Sequence, residues 1–344
     1  MQTVFVGLSG GVDSAVSAYL LKRQGYRVIG AFIKAWEPDF LPCTGTEDRL
    51  SAMRVAAHLG IPFVMYDLGD EYKRAIVDHF VSEYEAGRTP NPDVLCNRLI
   101  KFGAFWGRAK HDGADLLATG HYAMNEKLPD SGFRLLASKD KEKDQTYFLW
   151  TLTQDDLAHT LFPVGGMEKH EVRAVAEEAG LPNAARKDSQ GLCFLGHVEM
   201  TSFLKRYIRV EEGIVRDEEG EAIGGHEGVL LYTLGQRISI GGMRERRYVV
   251  AKDMRKNELI VSPEPLGEHP QKIFRFSGTN WISGKSREGR ALARYRYRQP
   301  LIPASLGSGR ITFDEPQLPA EGQSVVFYDE RGEACLGGGV IERH

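Results

Sequence analysis

Near the start of the 344-residue chain, Gly7, Leu8, Ser9, Gly10, Gly11, Val12, Asp13 and Ser14 form a turn suited to holding an anion. Adjacent glycines let the backbone bend sharply and present bare amides, two serines add hydroxyls, and the helix that follows points its positive end at the loop. The turn has no lysine. Neither Gly-x-Gly-x-x-Gly nor Gly-x-x-x-x-Gly-Lys follows the first strand, and "GTNWISGKS" at Gly278 has one residue too many between its glycines. A tight strand-to-helix connection capped by Asp13 or Ser14 explains part of this composition, but Ser-Gly-Gly-x-Asp-Ser exceeds what capping requires.

Thiols supply a second chemistry. Cys96 in "GRTPNPDVLCNRLIKFG" and Cys193 in "ARKDSQGLCFLG" both read as loop-borne, with basic neighbours such as Arg186 and Lys187 that favour a thiolate. The competing reading of each is a small buried residue. Asp93 is placed to move a proton or, equally, to cap the helix that follows, a role Asn97 shares. Cys43 and Cys335 read as structural or incidental, and four scattered cysteines make neither a disulfide scaffold nor a Cys-x-x-Cys metal site.

The elements that must position these groups alternate between strand and helix. Residues 4–6, "RVIGAFIKAW", "PFVMYDL" and "DLLATGHYA" read as strands. Residues 14–24, "DRLSAMRVAAHLG" and "EYKRAIVDHFVSEYEAG" read as helices, with Gly25 and Gly60 closing the first two. That alternation implies a doubly wound parallel sheet with ligands at the carboxyl ends of its strands, where the glycine turn sits. After residue 203 the texture changes to short alternating strands, "RYVVAKD", "NELIVSP" and "SVVFYDE", separated by Gly, Pro and Asp. The expected division is 1–202, 203–268 and 269–344, the last two β-rich and antiparallel in style.

The net charge of -3 argues against a wholly basic nucleic-acid binder, yet across residues 270–310 Glu288 is the lone acid among many basic residues. In "ALARYRYRQPL" strand alternation places Arg294, Arg296 and Arg298 on one face as a positive stripe for RNA backbone. No long apolar run or leader pattern is present, so the expectation is a cytoplasmic protein without a membrane segment.

The opening run resembles the pyrophosphatase loop of the ATP-pyrophosphatase (PP-loop) superfamily, which uses no Walker lysine. "SGGVDS", "NPDVLCN", "LATGHYA", "KDQTYFL", "DSQGLCFLG" and "YTLGQR" follow in the order and approximate spacing of the bacterial tRNA-specific 2-thiouridylases, and the resemblance extends to "CLGGGVIE" near the end. It implies an adenine nucleotide α-hydrolase-like α/β domain, a central domain and a C-terminal barrel. It also implies ATP with Mg2+, no dedicated protein metal site, and a tRNA substrate with its wobble uridine 34. A sulfur-relay donor protein and action as a monomer are further expectations. Residues 7–14 with Ile33 and Gly120 match ATP positions. Asn91, Pro92 and Asp93 match contacts to the target base. His121, Lys143, Asp144, Gln145, Arg296, Tyr297 and Gln323 match tRNA positions. Cys193 matches the persulfide carrier and Cys96 its partner, and the two form a transient disulfide in that family. The alternatives are a superfamily ligase that joins an amine to an adenylated oxygen, which needs no cysteine pair, and a non-enzymatic tRNA-binding or nucleotide-sensing module.

Overall fold

The computed structural model describes residues 1–38, 40, 45–129, 132–187, 200–241, 245–267 and 271–342. Cys43 and Cys193 lie outside the described residues, and so does the Cys96–Cys193 pairing.

The N-terminal unit is the expected parallel sheet. β1 (Thr3–Gly7), β2 (Arg27–Lys34), β3 (Phe63–Asp67), β4 (Leu116–Ala118) and β7 (Thr160–Leu161) run in the order β3-β2-β1-β4-β7, all parallel. Helices α1 (Val12–Arg23) and α2 (Gly45–Leu59) return the chain between the first three strands. The direction of winding reverses between β1 and β4, which makes the space above their carboxyl ends the natural ligand crevice. The sequence explains the sheet's rigidity: Val4, Phe5 and Val6 are at most 1% exposed, Phe5 facing one core and Val4 with Val6 the other. Burying each such side chain contributes roughly 1.5–3 kcal/mol.

A further strand pair departs from the sequence reading. The segment taken as one strand with its exit loop contains β4 and, from Ala123, a new strand. β5 (Ala123–Lys127) and β6 (Phe133–Ala137) form a hairpin that leaves the parallel sheet and pairs with the barrel, Leu136 opposite Ala334 and Leu135 opposite Cys335.

The central unit has β8 (Gly213–Arg216), β9 (Ala222–His226), β10 (Arg237–Ile238), β11 (Arg247–Asp253) and β12 (Glu258–Ser262), ordered β10-β11-β12-β8-β9. It is antiparallel except for the parallel β12–β8 pair. The C-terminal strands β13 (Gln271–Trp281), β14 (Gly289–Arg294), β15 (Ile302–Gly307), β16 (Arg310–Gln317), β17 (Ser324–Tyr328) and β18 (Ala334–Ile341) close on themselves through the β13–β18 pairing. Closure removes free sheet edges. Trp281 in β13 places "GTNWISGKS" on an antiparallel barrel strand, where no helix N-terminus follows it.

The units share one core. Phe102, Phe105, Tyr147 and Trp150 pack with Leu231 of the central unit and with Ile282, Val326, Tyr328 and Cys335 of the barrel. Among the described residues no helix is long and apolar enough to cross a membrane.

Candidate active site

The glycine turn occupies the crevice at the β1 end. Gly10 adopts φ 81°, where glycine is favoured. The N-cap of α1 is Gly11, and no side chain caps that helix, so the expectation of Asp13 or Ser14 as the cap does not hold. The serines shape the loop instead. Ser9 N donates to Ser14 Oγ (3.2 Å), Gly11 N to Ser9 Oγ (3.3 Å) and Ser14 Oγ to the Gly11 carbonyl (3.1 Å). From the other side, the Gly10 carbonyl accepts from Ser51 Oγ (2.8 Å), Asn183 Nδ2 (2.9 Å) and Arg186 Nη1 (3.1 Å). Arg186, read from sequence as a neighbour activating Cys193, is ion-paired with Asp48 and holds the turn.

Gly120 closes the crevice from β4. A Cβ at that position would lie 2.6 Å from Ser14 N and 2.8 Å from the Asp13 carbonyl carbon, so only glycine fits against the first turn of α1. Ile33 sits near the carboxyl end of β2, paired in register with Tyr66. Asp13, half-exposed in the turn, receives the Tyr122 hydroxyl (2.9 Å) and the Lys169 ammonium (2.6 Å) on the same Oδ1. Lys169 opens α3 (Lys169–Glu178) and gave no signal in the sequence, because its 156-residue separation from Asp13 forms no motif.

The second cluster lies along one continuous helical run. Asn91 caps it by accepting from Val94 N (3.3 Å), and Pro92 occupies its first turn. This corrects the expectation that Asp93 or Asn97 is the cap. The run passes from Pro92–Leu95 into a π-helical segment, Cys96–Phe105, and then Trp106–His111. Cys96 is therefore helical and 2% exposed, not loop-borne, and it begins a widened turn of the kind concentrated at functional sites. Cys335, on a barrel strand, is buried beside Asp144 and Arg294, and burial pushes its thiol up to about 12, which makes it inert at neutral pH.

The same helix joins the two clusters. At its far end, Phe105 Cε1 would lie 3.5 Å from a Cβ on Gly7. Midway, Lys101 Nζ reaches His121 Nε2 (3.4 Å), whose Nδ1 is 2.8 Å from Thr119 Oγ1. Burial, reinforced by the Lys101 ammonium, holds the His121 imidazole well below its usual range, so it is neutral at pH 7.

Of the predicted tRNA positions, Gln323 and Tyr297 lie near the start of this helix, while Gln145 and Lys143 lie on the segment after β6. Gln323 Nε2 donates to the Thr89 carbonyl (3.0 Å), and the Thr89 hydroxyl lies 3.1 Å from that of Thr233 in "YTLGQR". Tyr297 packs against Phe148 with the rings tilted by 44° (centroids 4.6 Å), and the Phe148 carbonyl accepts from Asn97 Nδ2 (3.1 Å). Gln145 pairs with Tyr122 through its backbone amide (2.8 Å) and its side-chain oxygen (2.9 Å). Lys143 lies in the turn opened by Asp140.

The basic stripe does not form as expected. β14 ends at Arg294; Arg296 and Arg298 follow in a bend, Arg298 with φ 62°. Arg294 is buried, ion-paired with Asp144 and hydrogen-bonded to the Tyr328 hydroxyl (Nε, 3.1 Å), because Asp144, Thr146 and the Tyr147 ring pack over it. The Asp144 carboxylate is likewise 5% exposed and committed to Arg294 and Thr146, which withdraws its side chain from the RNA-facing set. Arg296 stays exposed, with Nη2 on the Leu234 carbonyl (2.9 Å).

Family models match the chain in three stretches: a tRNA methyl transferase HUP domain over residues 2–197, a tRNA methyl transferase PRC-barrel domain over 201–263, and an aminomethyltransferase beta-barrel domain over 271–341. Full-length relatives carry a different name. The chain is 46% identical over 360 residues to the tRNA-specific 2-thiouridylase MnmA of Pseudomonas syringae, covering 99% of this chain and 94% of that protein. It is 44% identical over 352 residues to tRNA-specific 2-thiouridylase MnmA 2 of Geobacillus kaustophilus, and 45% identical over 352 residues to MnmA of Lysinibacillus sphaericus, each covering 98% of this chain and 94% of the relative.

Proposed function

The chain belongs to the tRNA-specific 2-thiouridylase MnmA family, and from that premise we propose how its residues divide the reaction. It is a tRNA sulfurtransferase of the ATP-binding PP-loop class. The three units 1–202, 203–268 and 269–344 act as catalytic, connecting and RNA-holding parts.

In the first half-reaction the glycine turn binds ATP by its phosphates, with Ile33 and Gly120 beside the nucleotide. The serine hydroxyls and loop amides that now bond one another turn to phosphate oxygens. The O2 of wobble uridine 34 attacks the α phosphorus, and pyrophosphate leaves into the turn, where amides and the α1 N-terminus stabilise its charge. Asp13 is the turn's carboxylate, and Mg2+ carried on phosphates needs one or two such oxygens plus water, so these residues fit it; the ion would neutralise phosphate charge.

In the second half-reaction a persulfide on Cys193, loaded by a relay protein, attacks C2, and AMP departs. The Cys96 thiolate then attacks Cys193 Sγ and breaks its bond to the outer sulfur. The transferred sulfur stays on C2 as 2-thiouridine, and a Cys96–Cys193 disulfide forms, to be reopened by cellular reductant. Asp93 moves the proton beside the base, and Asn91 and Pro92 shape its pocket. Gln145, Arg296, Tyr297 and Gln323 hold the anticodon loop, a single-stranded region whose base turns out at low cost.

The observation that carries this division is the helix linking the two clusters, with Cys96 at one end and Phe105 against Gly7 at the other. The test is incubation with ATP, Mg2+, a protein persulfide donor and unmodified tRNA, scored for 2-thiouridine on a thiol-retarding gel. Wild type is expected to thiolate and Cys193→Ala to fail; normal thiolation by Cys193→Ala would overturn the sulfur route.

A further inference from the structure

We propose that Lys169 is the phosphate-binding cation of the glycine turn, the counterpart of the lysine that the turn's own sequence lacks. The inference rests on the reading that the turn holds pyrophosphate. Lys169 reaches the turn from α3, its ammonium 2.6 Å from Asp13 Oδ1 and its side chain only 13% exposed. The ammonium also lies 5.8 Å from the centroid of the Tyr122 ring, a cation–π arrangement that fixes its approach. Its backbone is anchored twice over: Lys169 N donates to Asp140 Oδ2 (3.0 Å), and Glu168 N to Glu171 Oε2 (2.7 Å) in the capping box of α3.

The chemistry demands such a group. Amides and hydroxyls are neutral donors, while Asp13 places a negative charge in the turn that receives a highly charged anion. A carboxylate left alone there would repel pyrophosphate. Lysine carries three donors on a flexible stem, so one ammonium can serve Asp13 and a phosphate oxygen together or pass from one to the other. When it turns to phosphate, Asp13 keeps the Tyr122 hydroxyl on the same oxygen. Arg186, also at the turn, is held by Asp48 and the Gly10 carbonyl and stays with them.

The test is calorimetric binding of inorganic pyrophosphate to the full chain in EDTA, which removes any metal contribution from Asp13. Lys169→Met, and Lys169→Gln as a second variant, are expected to weaken binding about tenfold, with Lys169→Arg retaining part of it and all three melting near the wild-type temperature. Lys169 has two separable roles, a phosphate contact or mere compensation of Asp13. Adding Asp13→Asn to Lys169→Met distinguishes them: binding that stays weak supports the contact, and recovery to wild-type affinity overturns it. Undiminished binding by Lys169→Met overturns it as well. Full pyrophosphate affinity in Ser14→Ala would instead overturn the reading of the turn itself, independently of Lys169.

Discussion

The glycine turn and the junction around Thr89, Asp144 and Arg294 are built in opposite ways. The turn's phosphate-facing atoms come from one contiguous stretch of backbone and short side chains, under tight steric demands such as Gly10 at φ 81° and Gly120 against Ser14 N. The junction gathers residues from three units. Gln323 and Thr233 hold Thr89, and Arg294 reaches from the barrel to Asp144. A contiguous site is disabled by displacing one atom of backbone while the fold persists; a gathered one fails through lost stability and altered RNA contact. Substitutions at the two sites therefore have separable signatures.

Arg294→Met should give the largest effect. It strands a buried Asp144 carboxylate, and denaturant unfolding should record a loss of about 3–5 kcal/mol, with the KM for ATP unchanged in the folded fraction. A stability loss much below that would mean that solvent reaches the pair. Gly120→Ala is the converse. Its Cβ drives into the α1 backbone, and pyrophosphate release should fall about a hundredfold with little change in RNA affinity, measured by filter binding.

A smaller effect comes from pH. His121 is buried neutral below its ordinary value of 6.5, so the unfolded chain binds its proton first. The stability contributed by keeping His121 neutral is complete above pH 6.5 and is lost as pH falls towards the depressed folded value, by at most about 1.4 kcal/mol per pH unit. His121→Gln should flatten that part of a stability–pH curve; an unchanged slope would assign it elsewhere. Thr89→Val should have the smallest effect, about 1 kcal/mol of stability from the lost Thr233 contact, with a modest rise in the KM for tRNA and none in that for ATP.

The contrast also explains what the sequence disclosed. The parallel strands and the turn were legible because period, glycine spacing and strand length are local, and "RYVVAKD" coincides with β11. Alternation set Arg294 on the face away from Ala293 and Tyr295, which the fold turns into the barrel core, yet it could not show that Asp144, Thr146 and Tyr147 pack over that outer face and bury Arg294. The β5–β6 hairpin escaped notice because its partner strand lies near the end of the chain. Cys96 looked loop-borne because its prolines mark a turn; Asn91 and Pro92 instead start the helix that carries it. Lys169 at the turn and the pairing of Arg294 with Asp144 were invisible for the same reason, each acting on a partner far away in sequence.

The claim at the centre of this account is that one end of the Cys96–Phe105 helix serves adenylation and the other serves sulfur transfer. The direct measurement is a single-turnover reaction of Cys96→Ala with ATP, Mg2+, a protein persulfide donor and tRNA, following pyrophosphate and 2-thiouridine in the same tube. The account predicts that pyrophosphate appears at close to the wild-type rate while 2-thiouridine does not form. Normal 2-thiouridine formation, or loss of pyrophosphate together with it, would contradict the division.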